Sequence, residues 1–150
     1  MKRPIYMGFL AVFALAACAP DTPGAKAARE RHAHMEAMDD AFKALSDESK
    51  KSAPDAAFMS EKAVEVADLA ESLPVWFSAG SGPQDGVKTA AKADVWTNDM
   101  EFADKVHTFQ EQARELRSVA HDGADAITAQ INDVGQGCKA CHDQFREKKD

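Results

Sequence analysis

The chain has 150 residues, a formal net charge of −7 at pH 7, five histidines and three cysteines. This length suits a single domain, and the acidic balance argues against a nucleic-acid-binding protein and favours basic or neutral partners. Removal of residues 1–17 would take away two basic side chains and no acidic one, so a processed chain is more acidic still.

The N-terminus has the pattern of an export signal. A short basic start precedes an apolar run of 13 residues from Ile5 to Ala17, too short to span a bilayer but suited to a signal peptide. The run ends Leu15-Ala16-Ala17-Cys18, which resembles the lipobox of bacterial lipoproteins. We predict a signal peptide over 1–17, acylation of Cys18 and a periplasmic, membrane-anchored protein. Ordinary cleavage, with Cys18 a chance residue, is the alternative.

The rest of the chain predicts a tether followed by helices. Residues 18–24 contain two prolines and a glycine and predict a flexible tether before a folded domain at 25–150. Apolar spacings of three and four residues predict four amphipathic helices, over about 25–49, 56–73, 97–121 and 124–148.

The segment 74–94 is the one long irregular stretch in this pattern. Its apolar Val75, Trp76 and Phe77 are too apolar to face water and are expected to fold back on the helices. No stretch alternates convincingly with a period of two. The predicted fold is therefore all-α, an antiparallel four-helix bundle.

The fourth helix contains Cys138-Lys139-Ala140-Cys141-His142, the attachment signature of a c-type haem. On a helix, residues at i, i+3 and i+4 share one face, so two thiols can bond the porphyrin while the imidazole reaches the iron. The cysteines also continue the apolar stripe of this helix, which predicts a haem inside the bundle. The alternatives are a redox-active cysteine pair, which normally follows a strand, a zinc site, which needs a second ligand pair, and coincidence.

Taken together, these features resemble the cytochrome c′ family, bacterial haem proteins built as helical bundles with the attachment site near the C-terminus. The resemblance covers about residues 28–149. It rests on Arg31-x-x-x-Met35-x-x-Met38-x-x-x-Phe42, Leu73-Pro74-x-x-Phe77, Val95-Trp96 and Val134-Gly135-x-x-Cys138-Lys139-x-Cys141-His142-x-x-Phe145-Arg146. The lipobox departs from the usual soluble form of the family.

The resemblance implies one covalent haem c, held by Cys138 and Cys141 with His142 as the axial iron ligand. It implies that Arg31 pairs with a haem propionate, with His32 beside it placed to assist. It also implies that Arg146 lies near the proximal face. Met35 matches the position over the distal face, where a methionine either crowds a vacant site or acts as the sixth iron ligand.

The function implied by the resemblance is electron transfer in the bacterial envelope by a five-coordinate haem iron that binds small gases such as NO or CO. One alternative is a gas-binding protein that protects against NO, and another is a low-spin electron carrier with Met35 bound to iron. An enzyme is not expected, because no distal acid–base pair is evident. The expected partners are periplasmic redox proteins, small gases, a membrane through Cys18 and, as a weaker option, a second copy of the chain.

Overall fold

The computed structural model describes residues 22–148, so the predicted signal peptide and Cys18 lie outside the described residues. The described helices are α1 (Pro23–Glu48), α2 (Ala56–Ser72), α3 (Asp94–Thr97), α4 (Asp99–Ser118) and α5 (Ala124–Phe145). Within residues 22–148, β pairing is limited to one isolated bridge between Ala91 and Arg146. The prediction of an all-α fold is confirmed. None of the helices described is long and apolar enough to cross a bilayer.

The ends of the four long helices lie within three residues of their predicted positions. Helix α1 begins at Pro23 instead of residue 25, because Thr22 Oγ1 accepts a hydrogen bond from the Ala25 amide at 3.1 Å and proline is tolerated in the first turn. The C-terminal ends of α4 and α5 come three residues earlier than predicted, at Ser118 and Phe145.

The four long helices pack in chain order around one core. Helix α1 lies against α2, α2 against α4, and α4 against α5, whereas α1 and α5 share few close backbone contacts. The neighbours α2 and α4 run antiparallel, since Ser60 pairs with His121 at one end and Gln110 donates to the Ala70 carbonyl nearer the other. Three sides of the bundle are therefore closely packed, and we call the fourth side, between α1 and α5, the opening because few close backbone contacts cross it.

The segment between α2 and α4 folds over one end of this bundle. Its residues 90–92 pair with the end of α5, where the Lys92 amide donates to the Phe145 carbonyl at 2.9 Å and the Glu147 amide to the Ala90 carbonyl at 2.8 Å. We call this part of the molecule the loop end and define it as residues 22–30, 73–105 and 138–148. It brings together the start of α1, the start of α4 and the end of α5.

The expectation for the apolar residues of this segment is confirmed for two of three. Trp76 is buried, and Phe77 packs edge-on against Phe102 with ring centroids 4.8 Å apart. The expectation for Val75 is wrong, since its side chain is 78% exposed. Residues Leu73–Trp76 form a 3₁₀ turn, in which residues three apart share a face, so Leu73 and Trp76 point inward and Val75 does not.

Two glycines of α5 have different neighbours and provide a test of the packing. A Cβ on Gly137 would lie 2.0 Å from Gln112 Oε1 and 3.1 Å from the Phe109 ring, whereas a Cβ on Gly135 would meet only the Phe42 ring at 3.4 Å. The Gln112 amide can turn aside but the Phe109 ring cannot, so we expect Gly137→Ala to lower the free energy of unfolding by about 1 kcal/mol after the helix preference of alanine is counted. Gly135→Ala is the matched control, expected to be neutral or stabilising by up to about 1 kcal/mol because glycine disfavours helix.

Urea unfolding of the two purified variants beside the wild type measures this difference. Equal midpoints for Gly135→Ala and Gly137→Ala would contradict the close packing of α4 against Gly137.

Candidate functional site

The haem signature lies in the last two turns of α5, beside the opening between α1 and α5. Cys138 and Cys141 are free thiols of intermediate exposure. They pack against the core, as do Met35 and Phe42 of α1, while His142 is exposed at the rim. Asp39 of α1 is close enough to affect the pKa of both Cys138 and His142. The structure therefore brings the signature and the predicted distal face of α1 to one place.

Loss of solvation shifts the pKa of all three residues of the signature toward the uncharged form. Loss of solvation raises the pKa of the Cys138 thiol to about 11 and raises that of Cys141. Loss of solvation and, secondarily, the Arg146 guanidinium lower the pKa of His142. A neutral imidazole has a free lone pair and can ligate a metal.

The alternative of a zinc site finds no further support in the described part of the chain. Across residues 22–148, no group of three or more histidine, cysteine, aspartate or glutamate side chains is arranged to hold a metal ion. A structural zinc needs four such ligands. The cysteine pair therefore lacks the partners that this alternative requires.

Arg31 is almost fully buried, with 4% of its surface exposed. Its Nη1 donates to the Ser81 hydroxyl at 2.8 Å and to the Trp76 carbonyl at 3.3 Å. Its Nη2 donates to the Ser81 carbonyl at 3.0 Å and to the Thr89 hydroxyl at 2.9 Å. The guanidinium also lies over the rings of Phe77 and Trp96, at 5.0 and 5.3 Å. Arg31 therefore ties α1 to the segment that covers the loop end.

All four hydrogen-bond acceptors of Arg31 are neutral. Burial lowers the pKa of this guanidinium, and no carboxylate of residues 22–148 lies within ion-pair distance of it. A buried cation without a counter-charge is costly, which makes an anion from outside the polypeptide a favourable neighbour.

The other predicted site residues fall into two groups. Arg146 lies beside the signature, with Nη1 3.5 Å from His142 Nδ1. Met35 is half-buried on the α1 side. His32 is not brought to Arg31, since it is exposed and pairs with Glu36 at 3.2 Å.

Sequence reasoning missed the residues that surround Arg31. Ser81 is fully buried, although it stands in a glycine-rich stretch that reads as an exposed loop. The exposed ring of His34 stacks on Trp76 with centroids 4.8 Å apart. The contacts of Arg31 and His34 join residues 42 to 65 positions apart, and no periodic signal in the sequence could have indicated them.

The residues around the opening fit a large, flat, apolar group with an anionic edge. Half-buried thiols, a methionine and an aromatic ring line its walls, a neutral imidazole stands at the rim and a buried guanidinium lies nearby. Few backbone contacts between α1 and α5 would have to be broken to admit such a group.

Comparisons with known proteins agree with this geometry. The family described as Cytochrome C′ matches residues 26–146. A cytochrome c′ of Cereibacter sphaeroides is 32% identical over 151 aligned positions, covering 99% of this chain and all of that protein. A nitric oxide complex of a cytochrome c′ variant from Alcaligenes xylosoxidans superposes with a TM-score of 0.75 at 28% identity, covering 84% of this chain and 97% of the other. A cytochrome c′ described by its ligand-controlled dimer dissociation superposes with a TM-score of 0.76 at 25% identity, covering 86% and 100%.

Proposed function

The chain belongs to the cytochrome c′ family, whose members carry a covalently bound haem c, and from this premise we propose that it is an electron-transfer protein with a five-coordinate haem iron that binds small gases. The observation that carries the proposal is the position of Cys138, Cys141 and His142 beside the opening between α1 and α5, opposite Met35. Haem supplies an iron that changes oxidation state and has a coordination position available to a ligand.

Cys138 and Cys141 are proposed to hold the haem through thioether bonds. Each thiol adds its sulfur and its hydrogen across one vinyl double bond, so no oxidant is needed. Both thiols are protonated at neutral pH, and both lie on the wall of the opening. His142 is proposed as the axial ligand, because its lowered pKa keeps the imidazole neutral and able to donate a lone pair.

Two arginines are proposed to orient the group. The Arg31 guanidinium has no carboxylate partner among residues 22–148, and a haem propionate would supply the missing negative charge. Arg146 is placed to act on the proximal side, since its guanidinium reaches the His142 ring. His32 is less favoured as a helper because it is exposed and already pairs with Glu36.

The α1 side chains that pack against the core at the opening are apolar, which favours binding of small gases over catalysis. Met35, Met38 and Phe42 occupy successive turns, and none of the three offers a proton to a bound ligand. Apolar side chains offer no hydrogen bonds to water and favour small uncharged ligands. The nitric oxide complex of the related Alcaligenes protein supports this assignment. We therefore propose a carrier and gas-binding protein and not an enzyme.

The ferrous absorption spectrum of the wild type and of Met35→Leu, with and without CO, tests the coordination state. Leucine keeps the volume of methionine but removes the sulfur. For a vacant distal position we expect a broad high-spin band that shifts with CO in both proteins. A split α/β pair without CO response in the wild type, converted to a CO-responsive spectrum by Met35→Leu, would instead establish the low-spin alternative with Met35 as sixth ligand.

For localisation we propose a processed periplasmic lipoprotein. In this proposal residues 1–17 are the signal peptide and Cys18 carries the acyl anchor. The few residues between Cys18 and Thr22, the N-cap of α1, form the tether. Redox proteins of the periplasm are the proposed electron partners. A homodimer through α1 and α2 is also proposed, supported by the related cytochrome c′ whose dimer dissociates under ligand control.

A further inference from the structure

The loop end carries two exposed apolar side chains. Among residues 22–148, only Val75 and Met100 are large apolar residues with exposed side chains, at 78% and 79%. Isolated exposed apolar residues are common on soluble proteins. Here, however, both lie at the same end, on the 3₁₀ turn after α2 and on the first turn of α4.

The chain upstream of the described residues also joins the molecule at this end. Gly24, in the first turn of α1, approaches the loop so closely that a Cβ on it would lie 1.9 Å from the Gly80 carbonyl oxygen. Ala91 and Arg146 pair the same segment with the end of α5. The start of α1, Val75, Met100 and the haem signature therefore share the loop end.

The proposed acyl anchor would be held close to this surface. Cys18 precedes Thr22 by four residues, and an extended residue spans at most about 3.6 Å, so the Cys18 backbone lies within about 14 Å of Thr22. A tether this short cannot reach along the 26-residue helix α1 to the opposite end. An anchored protein must therefore keep its loop end near the bilayer.

The charge distribution favours the same orientation. Residues 22–30, 73–105 and 138–148, which form the loop end, contain equal numbers of acidic and basic side chains. The remaining described residues account for all of the net negative charge of the part that the structure describes. A bound haem would add its two propionates to this end, which would still be less negative than the remainder of the bundle, so an anionic bilayer repels the loop end less. Lys88 and Lys92 in particular stand in a stretch, residues 86–93, that contains no acid.

We propose that the loop end is a membrane-contact surface, on which the protein rests against an anionic phospholipid bilayer with Val75 and Met100 at the headgroup boundary. The proposal rests on the proposed acylation of Cys18, and it adds an orientation that an anchor alone does not specify. In this orientation the haem signature, in the last turns of α5, lies at the membrane-facing end.

Thiol protection on vesicles tests the orientation. The acylated holoprotein is reconstituted into vesicles of phosphatidylethanolamine and phosphatidylglycerol, and a single cysteine is introduced by Met100→Cys or, as control, by Ser118→Cys. Ser118 is exposed at the opposite end of the same helix. A charged, membrane-impermeant maleimide is then reacted with each, and the rates are compared with those of the same variants made unacylated by Cys18→Ser.

We expect vesicles to slow the reaction at position 100 on the order of tenfold and to leave the rate at position 118 unchanged. Equal slowing at the two positions, or no slowing at position 100, would overturn the proposal and leave the anchor intact. Flotation of the vesicles measures membrane anchoring separately, since an unacylated protein stays at the bottom of the gradient. Failure to float would overturn the acylation and with it the membrane-contact surface.

Discussion

Replacement of both Cys138 and Cys141 by serine is expected to remove covalent haem completely, so that acidified acetone extracts all of the pigment from the purified protein. The reason is chemical, because the hydroxyl of serine forms no thioether with a vinyl group. Both side chains line the opening between α1 and α5, and serine preserves their volume there. Covalent pigment on a denaturing gel and the intact mass of the chain measure the outcome.

The single variants and Cys18→Ser are the controls for this result. Each single variant keeps one thiol and is expected to retain covalent haem in reduced yield, whereas Cys18→Ser should retain all of it. Haem that survives extraction from the double variant would show that another residue holds it. The proposed attachment site would then be wrong.

The second large effect is expected at Arg31. Arg31→Gln removes the charge and most of the donors that hold the Trp76 carbonyl, both oxygens of Ser81 and the Thr89 hydroxyl. Several buried acceptors then lose their partner, and each such loss costs about 1–3 kcal/mol. Since water will satisfy some of them, we expect the free energy of unfolding to fall by about 3 kcal/mol.

Arg114→Gln is the matched control for the change at Arg31. Arg114 is exposed and forms a two-point ion pair with Glu71, with Nε 2.7 Å and Nη2 3.2 Å from the carboxylate oxygens. Exposed pairs of this kind contribute about 1 kcal/mol or less. Urea unfolding of both variants measures the comparison. An Arg31 variant no less stable than the Arg114 variant would refute a structural role for the buried guanidinium.

Arg31→Lys separates the charge of this site from its geometry. Lysine keeps the positive charge but cannot spread its donors over four acceptors as a planar guanidinium does. We therefore expect a stability between those of the wild type and Arg31→Gln.

The four long helices could be predicted because each has a short-range pattern of apolar residues in its own sequence. Apolar residues three and four positions apart define one buried stripe per helix, as with Phe102, Val106 and Phe109 of α4, and these positions are buried in the structure. The haem signature is also local, since its cysteines and histidine lie within five residues on one turn and a quarter of helix. The family, the fold and the cofactor could therefore be inferred from the sequence alone.

The surroundings of Arg31 and the exposure of Val75 were decided only by the tertiary structure. In the sequence, Arg31 resembles any other charged residue of an amphipathic helix. In the structure the segment 73–97 covers it and provides hydrogen-bond acceptors, such as the Ser81 and Thr89 hydroxyls, that are far away in sequence. Val75 is as apolar as its buried neighbours, but the 3₁₀ turn directs it outward. Helix periodicity is a short-range property, whereas burial in an irregular segment depends on which distant surface the chain meets, and spacing carries no information about that.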